Sequence, residues 1–349
     1  MTKISAKGIE LSFDRRTGLI ERFAVMDNRV EVAPLHRAPW VGTDEVMPPD
    51  AAPHVAVLGG DFFCAPFAAR EGGSPLHGWP ANSVWNIERQ VGGLLRAALG
   101  KQVYGARLVK ELILRDGHPF VYQSHKFTGG NGHVPVANHA NLSLPRGGII
   151  RTSPKTCWET PKNPLESDPA RGRSALNYPA SSNSPTTFPG LAGDVDLATY
   201  PWHPHHEDLV VGIEEGGHEL GWTAVSRPAS GDLFLSIRNP RQLPMTMLWH
   251  SNGGRDYPPW NGRHRGCLGI EEGAASHMLG LSDETALCGP GELSLDPGGS
   301  VDVRHIIGAV CWPTGEPVAD IGLSGVSLLV KGDAGAVRNL PIDGEFLAL

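Results

Sequence analysis

The stretch that decides the fold is ARLVKELILRDGHPFVYQSHKF, residues 106–127. Two apolar runs rich in β-branched, leucine and aromatic residues flank the dipeptide Asp116-Gly117. An Asp-Gly pair between two such runs is a strong hairpin signal, because glycine accepts the positive φ that a tight turn requires. The stretch therefore predicts two antiparallel strands joined at Asp116-Gly117.

Outward from this hairpin, the same kind of pattern recurs along the chain. Residues 8–25 indicate two strands around a Thr-Gly turn, and residues 291–312 alternate after a Pro-Gly-Gly turn. Shorter runs at 232–240 and 245–251 are also typical of strands. Apolar spacing of three and four residues over a dozen positions, the signature of a helix, is almost absent. We expect an all-β protein of antiparallel strands with few short helices.

The composition is that of an ordinary globular protein. The 349 residues are 40% hydrophobic and 19% charged, with a net charge of −7 and a pI of about 6.1. No lysine- or arginine-rich run favours nucleic acid, and no apolar run resembles a signal peptide or a membrane span. We therefore expect a cytoplasmic protein with no nucleic-acid or membrane partner. Its five widely spaced cysteines form no C-x-x-C pair and are expected to be reduced thiols.

We interpret the whole chain, 1–349, as a single β-sandwich domain. Residues 150–206 differ from the rest, because they are rich in Pro, Ser and Asn and show little periodicity. A long irregular segment in a compact domain is usually functional or flexible. This segment either caps a site or is a surface loop packed against the rest of the domain. Exposed edge strands would allow a homodimer to form.

One turn-rich stretch, SPLHGWPANSVWNI at residues 74–87, combines His77 with two tryptophans, Trp79 and Trp85. Loops usually avoid two large aromatic residues unless something flat lies against them. His77 is interpreted either as a satisfied structural histidine or as part of a binding site.

A second histidine and a pair of glutamates extend this interpretation. His139 lies in VPVANHANLSLP, and Glu271 and Glu272 follow the apolar run CLGI. In an alternating strand one of the two carboxylates must point inward, where it needs a partner or a role. A histidine facing such a glutamate across a cleft forms an acid–base pair, with both pKa values moved toward neutrality.

The segment WHPHHED, residues 202–208, gathers His203, His205 and His206 next to two acidic residues. Their spacing matches no zinc-binding motif, and the prolines indicate a loop. We expect a solvated or partly packed histidine loop here and no metal site.

In their order these motifs resemble the aldose 1-epimerase (galactose mutarotase-like) superfamily, nearest in style to its hexose-6-phosphate mutarotase branch. Residues 59–87 are similar to a family stretch in which Gly-Gly, a Pro-aromatic turn, His-Gly and Asn-x-x-Trp follow one another. NHANLSLP (138–145) resembles the family's second-histidine motif, and LGIEEG (268–273) resembles the strand that delivers its general base. LDPGGSVDVRHII (295–307) is similar to the final Pro-Gly turn and strand.

The resemblance implies a galactose mutarotase-like β-supersandwich whose concave face binds a sugar, with tryptophan stacking on its C–H faces. It implies ring opening and reclosing at the anomeric carbon, with Glu271 as the base on the C1 hydroxyl and His139 as the acid on the ring oxygen. His77 would hydrogen-bond the sugar and polarise the ring oxygen. The expected partner is a small-molecule carbohydrate, and no metal or organic cofactor is required. The substrate-binding residues would be Arg70, Trp79, Asn82 and Trp249.

Three positions depart from the family pattern. Ala81 stands where the family has an arginine, a planar donor that helps hold the phosphate in the phosphosugar branch. This favours an unphosphorylated sugar or sugar derivative. Ala140 replaces the tyrosine that follows the second histidine. Glu271 aligns better with the general base, while Glu272 occupies the place of the usual proline.

Two functions follow from these residues. One is an aldose 1-epimerase-like isomerase that interconverts sugar anomers. The other is a non-catalytic carbohydrate-binding protein on the same scaffold, which the departures at Ala81 and Ala140 motivate. A polysaccharide lyase of related fold is disfavoured, because such enzymes place a helical domain before the sandwich and this chain has no room for one.

Overall fold

The computed structural model of the protein describes residues 1–68, 73–275, 291–312 and 316–348. Within these ranges β-strands dominate, and the helical segments are the short 3-10 helices Pro53–Val57, Trp79–Ala81 and Gly344–Leu347. None of these helices is long and apolar enough to cross a membrane. The prediction of an all-β protein with few short helices is confirmed.

The described residues form 27 strands, numbered here in chain order. They are β1 Thr2–Ala6, β2 Ile9–Asp14, β3 Leu19–Asp27, β4 Val30–Val32, β5 Asp61–Cys64, β6 Trp85–Val91, β7 Leu94–Leu99, β8 Arg107–Leu114, β9 Phe120–Thr128, β10 Gly132–Val134, β11 Val136–Ser143, β12 Gly148–Thr152, β13 Lys155–Glu159, β14 Ser181–Ser182, β15 Phe188–Gly190, β16 Gly193–Val195, β17 Thr199–Tyr200, β18 His206–Glu214, β19 Gly221–Arg227, β20 Asp232–Arg238, β21 Met245–Asn252, β22 Cys267–Ala274, β23 Leu293–Leu295, β24 Ser300–Cys311, β25 Val318–Ser324, β26 Ser327–Gly332 and β27 Val337–Pro341.

Two large antiparallel sheets contain most of these strands. The eleven-stranded sheet has the order β1-β2-β3-β5-β11-β22-β21-β18-β13-β14, with β4 paired to β3. The nine-stranded sheet has the order β17-β12-β19-β20-β24-β9-β8-β7-β6. Strands distant in sequence, such as β11 and β22, are therefore neighbours in the first sheet.

The hairpin predicted around Asp116-Gly117 is confirmed as β8 and β9 of the nine-stranded sheet. The two strands pair antiparallel, with Leu114 opposite Val121. The connection is longer than two residues and spans 115–119, with Gly117 at a φ of 75°. His118 and Pro119 extend the loop because proline supplies no backbone N–H for a ladder hydrogen bond.

The two large sheets pack face to face over a shared apolar core. Alternation along β11 directs Val136, Ala140 and Leu142 into this core, where they belong to the same cluster as Phe127 and Phe234 of the other sheet. The intervening residues of β11 lie on the opposite side, which carries a separate apolar cluster. We call this side of the eleven-stranded sheet the outer face.

Residues 150–206 contain the short strands β13 to β17 and most of β12, separated by turns. Strand β13 pairs with β18 of the eleven-stranded sheet, and β12 pairs with β19 of the nine-stranded sheet. The segment is thus attached to both large sheets.

The described cysteines are free thiols, with Cys64 and Cys267 buried and Cys157 and Cys311 half-buried. Cys288 lies outside the described residues.

Candidate active site

The centre of the candidate site is a cross-strand pair on the outer face. Strand β11 places His139 directly opposite Glu271 of β22. The Nε2 atom of His139 lies 3.1 Å from Oε1 of Glu271, and both side chains are about 4% exposed. Successive side chains of a strand point to opposite faces of the sheet. His139 and Glu271 both occupy outer-face positions of their strands, so their side chains meet.

Glu272 points the other way, into the space between the two large sheets. Its carboxylate lies 2.8 Å from Nη1 of Arg238 and accepts hydrogen bonds from Thr223 (2.6 Å) and Thr246 (2.9 Å). These partners satisfy a charge that would otherwise be costly to bury. The structure therefore distinguishes the two adjacent glutamates, and it is Glu271 that faces outward beside His139.

Burial sets the protonation of the pair. Loss of solvation raises the pKa of Glu271 to about 8, because the charged carboxylate is disfavoured. Burial, with a smaller repulsion from His54, lowers the pKa of His139 to about 3, so the expected shift toward neutrality is wrong for this residue. Between these values the pair holds a single proton, which rests on the carboxyl group of Glu271.

His77 reaches the same place from the turn at residues 74–87. Its φ of 67° lies in the left-handed region, which is costly for a non-glycine residue and is frequent at functional sites. The following residue, Gly78, also has a positive φ of 71°, and a Cβ there would lie 2.0 Å from the carbonyl oxygen of Ala65. This tight turn brings the ring of His77 within 5.6 Å of the ring of His139, centroid to centroid. Burial holds the pKa of His77 well below its ordinary value.

Asn82 holds the turn and a further histidine, His54. Its Oδ1 accepts from the backbone N–H of His54 (3.0 Å) and lies 2.9 Å from Nδ1 of the same residue. Its Nδ2 donates to the carbonyl oxygens of Leu76 and Gly78, each at 2.7 Å. The amide of Asn82 is thus engaged by protein groups, and it positions His54.

The three histidines and Glu271 line a cavity of about 350 Å³. This volume lies within the range of small-molecule sites. Most of the other described lining residues are apolar or aromatic: Val55, Leu58, Phe62, Phe67, Ala68, Leu76, Leu165, Leu209, Trp249, Tyr257 and Trp260, together with Arg255. The ring of Phe62 stacks on His139 at 4.5 Å between centroids.

Trp249, Trp260 and Arg255 form one wall of this cavity. The indole Nε1 of Trp249 donates to Oε1 of Glu207 at 2.6 Å, and Nε of Arg255 lies 3.1 Å from the same oxygen. The guanidinium of Arg255 lies over the Trp260 ring, 4.4 Å from its centroid. Glu207 therefore fixes the orientation of the wall and balances the charge of Arg255.

The structure brings together His77, His139, Glu271 and Trp249, four of the residues that the sequence predicts for the site. It does not place Trp79 or Asn82 among the described lining residues. The ring of Trp79 lies outside the cavity, with Nζ of Lys101 at 5.2 Å from its centroid. Arg70 lies outside the described residues.

The histidines of WHPHHED are not brought together. His203 is exposed and His205 is half-buried, while His206 is buried and its Nδ1 lies 2.8 Å from Asp208. The ring of His206 also stacks with Trp202 at 5.4 Å between centroids. Glu207 of the same segment is the residue that supports the cavity wall.

Sequence reasoning missed four residues that build the site: His54, Glu207, Arg255 and Trp260. His54 and Trp260 carry no signal in the sequence, because they lie in a short 3-10 helix and in a turn whose positions depend on the tertiary fold. Glu207 had a weak signal, since it is the second residue of an apolar strand and alternates with Leu209 and Val211, which lie on the outer face.

An antiparallel β-sandwich with a buried histidine–glutamate pair in an aromatic cavity is the class that these observations define. No family model and no curated protein matches the sequence. Solved structures match in fold. A candidate aldose 1-epimerase from Escherichia coli K12 aligns with a TM-score of 0.59 and 14% identity, over 88% of this chain and 97% of that one.

Two further structures give the same result. A galactose mutarotase related enzyme from Lactobacillus acidophilus has a TM-score of 0.56 and 12% identity, over 89% of this chain and 98% of that one. A galactose mutarotase-like protein from Lactobacillus casei ATCC 334 has a TM-score of 0.55 and 10% identity, over 88% and 99%. The chain has the galactose mutarotase-like fold, as predicted. The nearer likeness to the hexose-6-phosphate branch stays a prediction.

Proposed function

We propose that this protein is an aldose 1-epimerase-type isomerase that interconverts the α and β anomers of a sugar. The observation that carries the proposal is the contact of 3.1 Å between Nε2 of His139 and Oε1 of Glu271 in the cavity. Anomer exchange removes one proton from the sugar and returns one, and a buried pair that holds a single proton suits this balance.

In the proposed reaction the carboxylate of Glu271 takes the proton of the C1 hydroxyl. As the C1 carbonyl forms, the bond from C1 to the ring oxygen breaks and its electron pair passes to that oxygen, which takes a proton from His139. Rotation about C1–C2 exposes the other face of the carbonyl. Reversal of the proton transfers then closes the ring and restores the pair.

The pair must first redistribute its proton, because at rest the proton lies on Glu271. Sugar hydroxyls that enter the cavity replace part of the lost hydration, and hydrogen bonds to a carboxylate favour its charged form. We propose that binding therefore moves the proton from Glu271 to His139. The transfer crosses the existing contact and leaves the net charge of the cavity unchanged.

The lining supports an uncharged sugar as the substrate. The aromatic faces of Trp249, Trp260 and Phe62 suit the C–H faces of a pyranose, while His77 and His54 suit its hydroxyls. Arg255 is balanced by Glu207, which reduces its capacity to hold a phosphate. Leu165 joins the lining from the segment 150–206, which supports the interpretation of that segment as a cap.

The experiment is anomer exchange followed by proton NMR. Freshly dissolved α-glucose, α-galactose and rarer aldoses are each mixed with wild type, Glu271→Gln or His139→Gln. We expect wild type to accelerate exchange of at least one sugar and each variant to lose about 10²-fold or more of that acceleration. Glu10→Gln and His133→Gln, at exposed positions on β2 and β10, are matched controls that should behave like wild type. Equal rates in wild type and both active-site variants would refute the proposal.

The second candidate is a carbohydrate-binding protein without turnover. The resting protonation favours it, because a neutral His139 is not an acid and a protonated Glu271 is not a base. It predicts that a sugar changes tryptophan fluorescence while exchange stays at the background rate. Trp249→Ala should then weaken the binding, and an unchanged affinity would count against this candidate.

A further inference from the structure

A cluster of potential metal ligands, separate from the histidines of the cavity, lies where loop residues cover the outer face. It consists of His36, His264 and Cys267, which are 8%, 1% and 0% exposed. One potential ligand atom from each residue lies within 4.8 Å of those of the other two. We propose that these three residues bind a transition-metal cation of the zinc type.

The unpartnered nitrogens of the two histidines support this site. The Nε2 atoms of His36 and His264 are both buried and have no hydrogen-bond partner in the described part of the chain. Their rings meet edge to face, with centroids 4.9 Å apart. Buried polar atoms nearly always have a partner, and a shared cation would supply one to both rings.

The hydrogen bonds of Ser251 prepare His264 as a ligand. Ser251 Oγ donates to Oε2 of Glu207 at 2.8 Å, so its lone pair is free to accept from Nδ1–H of His264 at 2.7 Å. The proton of the neutral imidazole is then on Nδ1, and Nε2 keeps a lone pair. Metal-binding histidines are commonly oriented in this way, through a hydrogen bond from the other ring nitrogen.

The donor set selects the class of cation. Two imidazoles and a sulfur suit Zn²⁺, Co²⁺ or copper, whereas Mg²⁺ and Ca²⁺ prefer oxygen ligands. Zinc holds such ligands at about 2.0–2.3 Å, so the three side chains would draw together by about an ångström. The thiol proton of Cys267 passes to solvent when the metal binds. Asn141 Oδ1, 3.9 Å from Sγ of Cys267, is the nearby oxygen that could complete the coordination.

The site is separate from the proposed catalytic pair, but it lies behind the cavity wall. The ring of His264 stacks on Trp249 at 5.7 Å and meets Trp260 edge-on at 5.1 Å, centroid to centroid. A bound cation would therefore brace both tryptophans. A second cavity of about 370 Å³ has His36 in its lining and provides a route for the metal. A metal was not expected here from the sequence, because His36 is distant in the chain from His264 and Cys267.

The test uses Co²⁺ and Zn²⁺ with the full chain. Wild type is titrated with Co²⁺ to look for the thiolate-to-cobalt absorption band, and its zinc content is measured after dialysis against Zn²⁺. We expect one equivalent of metal and a band that Cys267→Ser removes, with binding at least tenfold weaker in Cys267→Ser and His264→Gln. The matched controls Cys157→Ser and His133→Gln should bind like wild type.

A milder variant keeps the test informative if a ligand variant fails to fold. Ser251→Ala leaves all three ligands in place but removes the hydrogen bond to His264, and we expect it to weaken binding by about 10–100-fold. Thermal unfolding with and without Zn²⁺ checks each variant, and wild type should gain a higher Tm with the metal. Substoichiometric binding by wild type, or a band that survives in Cys267→Ser, would overturn the proposal. Loss of binding in the two controls would also overturn it, by assigning the metal to other thiols and histidines.

Discussion

Glu271 and Glu272 are neighbours in sequence with opposite environments. The first lies beside His139 on the outer face, and the second is held by Arg238 between the sheets. One carboxyl therefore keeps its proton through burial, while the other is buried with a guanidinium partner. This difference is what leaves Glu271 available for proton transfer.

The proton shared by His139 and Glu271 predicts how activity depends on pH. Because the pKa of Glu271 is raised to about 8 and that of His139 is lowered to about 3, the pair keeps its proton between these values. We expect kcat/KM for anomer exchange to fall as the pH rises through about 8, because the pair then loses the proton that the ring oxygen needs. Saturation-transfer NMR from pH 5 to 10 measures the profile. A rate that stays constant to pH 10 would contradict the assignment.

At the scale of elements, the sequence was most informative where apolar and polar residues alternate along a strand. The hairpin of β8 and β9 could be predicted from Asp116-Gly117, and the order of the His77, His139 and Glu271 motifs predicted a common site. The pairing of β11 with β22 could not be derived from local pattern, because it joins strands on opposite sides of a long stretch of chain. The family resemblance implied that His139 and Glu271 share a site, but it did not predict that their strands pair.

Turns were less predictable than strands. Asn82 was expected to touch the substrate, and its amide is instead fully engaged in holding His54 and the turn at 74–87. Arg255 and Trp260 come from a turn-rich stretch before β22. The sequence there lacks the alternation of polar and apolar residues from which the direction of a side chain can be predicted. Contacts with residues distant in the chain decide these positions, such as those of Asn82 with His54 and of Arg255 with Glu207.

The role of Asn82 predicts a specific effect of its removal. Asn82→Ala leaves two backbone carbonyls without a donor and the N–H of His54 without an acceptor, which should lower the free energy of unfolding by about 1–3 kcal/mol. It should also reduce kcat/KM by about tenfold or more, because His54 and His77 lose their fixed positions. Urea unfolding and anomer-exchange rates measure the two effects. Ser83→Ala, which removes one bond to the carbonyl of Trp79, is the matched control and should change kcat/KM little.

At the scale of the whole molecule, the two faces of the eleven-stranded sheet have different roles. The inner face shares the apolar core with the second sheet and includes the charged contacts of Glu272 and Arg238. The outer face carries the cavity, and loops before β5 and before β22 close over it. Loops, and not a second sheet, therefore bury the residues on that face. This explains why a carboxyl group without a cationic partner, such as that of Glu271, occurs there.

This arrangement predicts that Glu271 reduces stability as the pH rises. The native state keeps a proton on Glu271 up to about pH 8, whereas the unfolded chain releases it near 4.5. Between these values the native state binds more protons, so this contribution to the free energy of unfolding falls with rising pH, by at most about 1.4 kcal/mol per unit.

Glu271→Gln cannot ionise, so its stability relative to wild type should increase from about pH 4.5 to 8 and then level off. The opposing contribution of His139 is present in both proteins and largely cancels in this difference. Urea unfolding of both proteins at several pH values measures the trend, with the exposed Glu10→Gln as the matched control. A difference that does not depend on pH would show that Glu271 is ionised in the resting protein. The proton would then already lie on His139, and the base and the acid would be in place before the sugar binds.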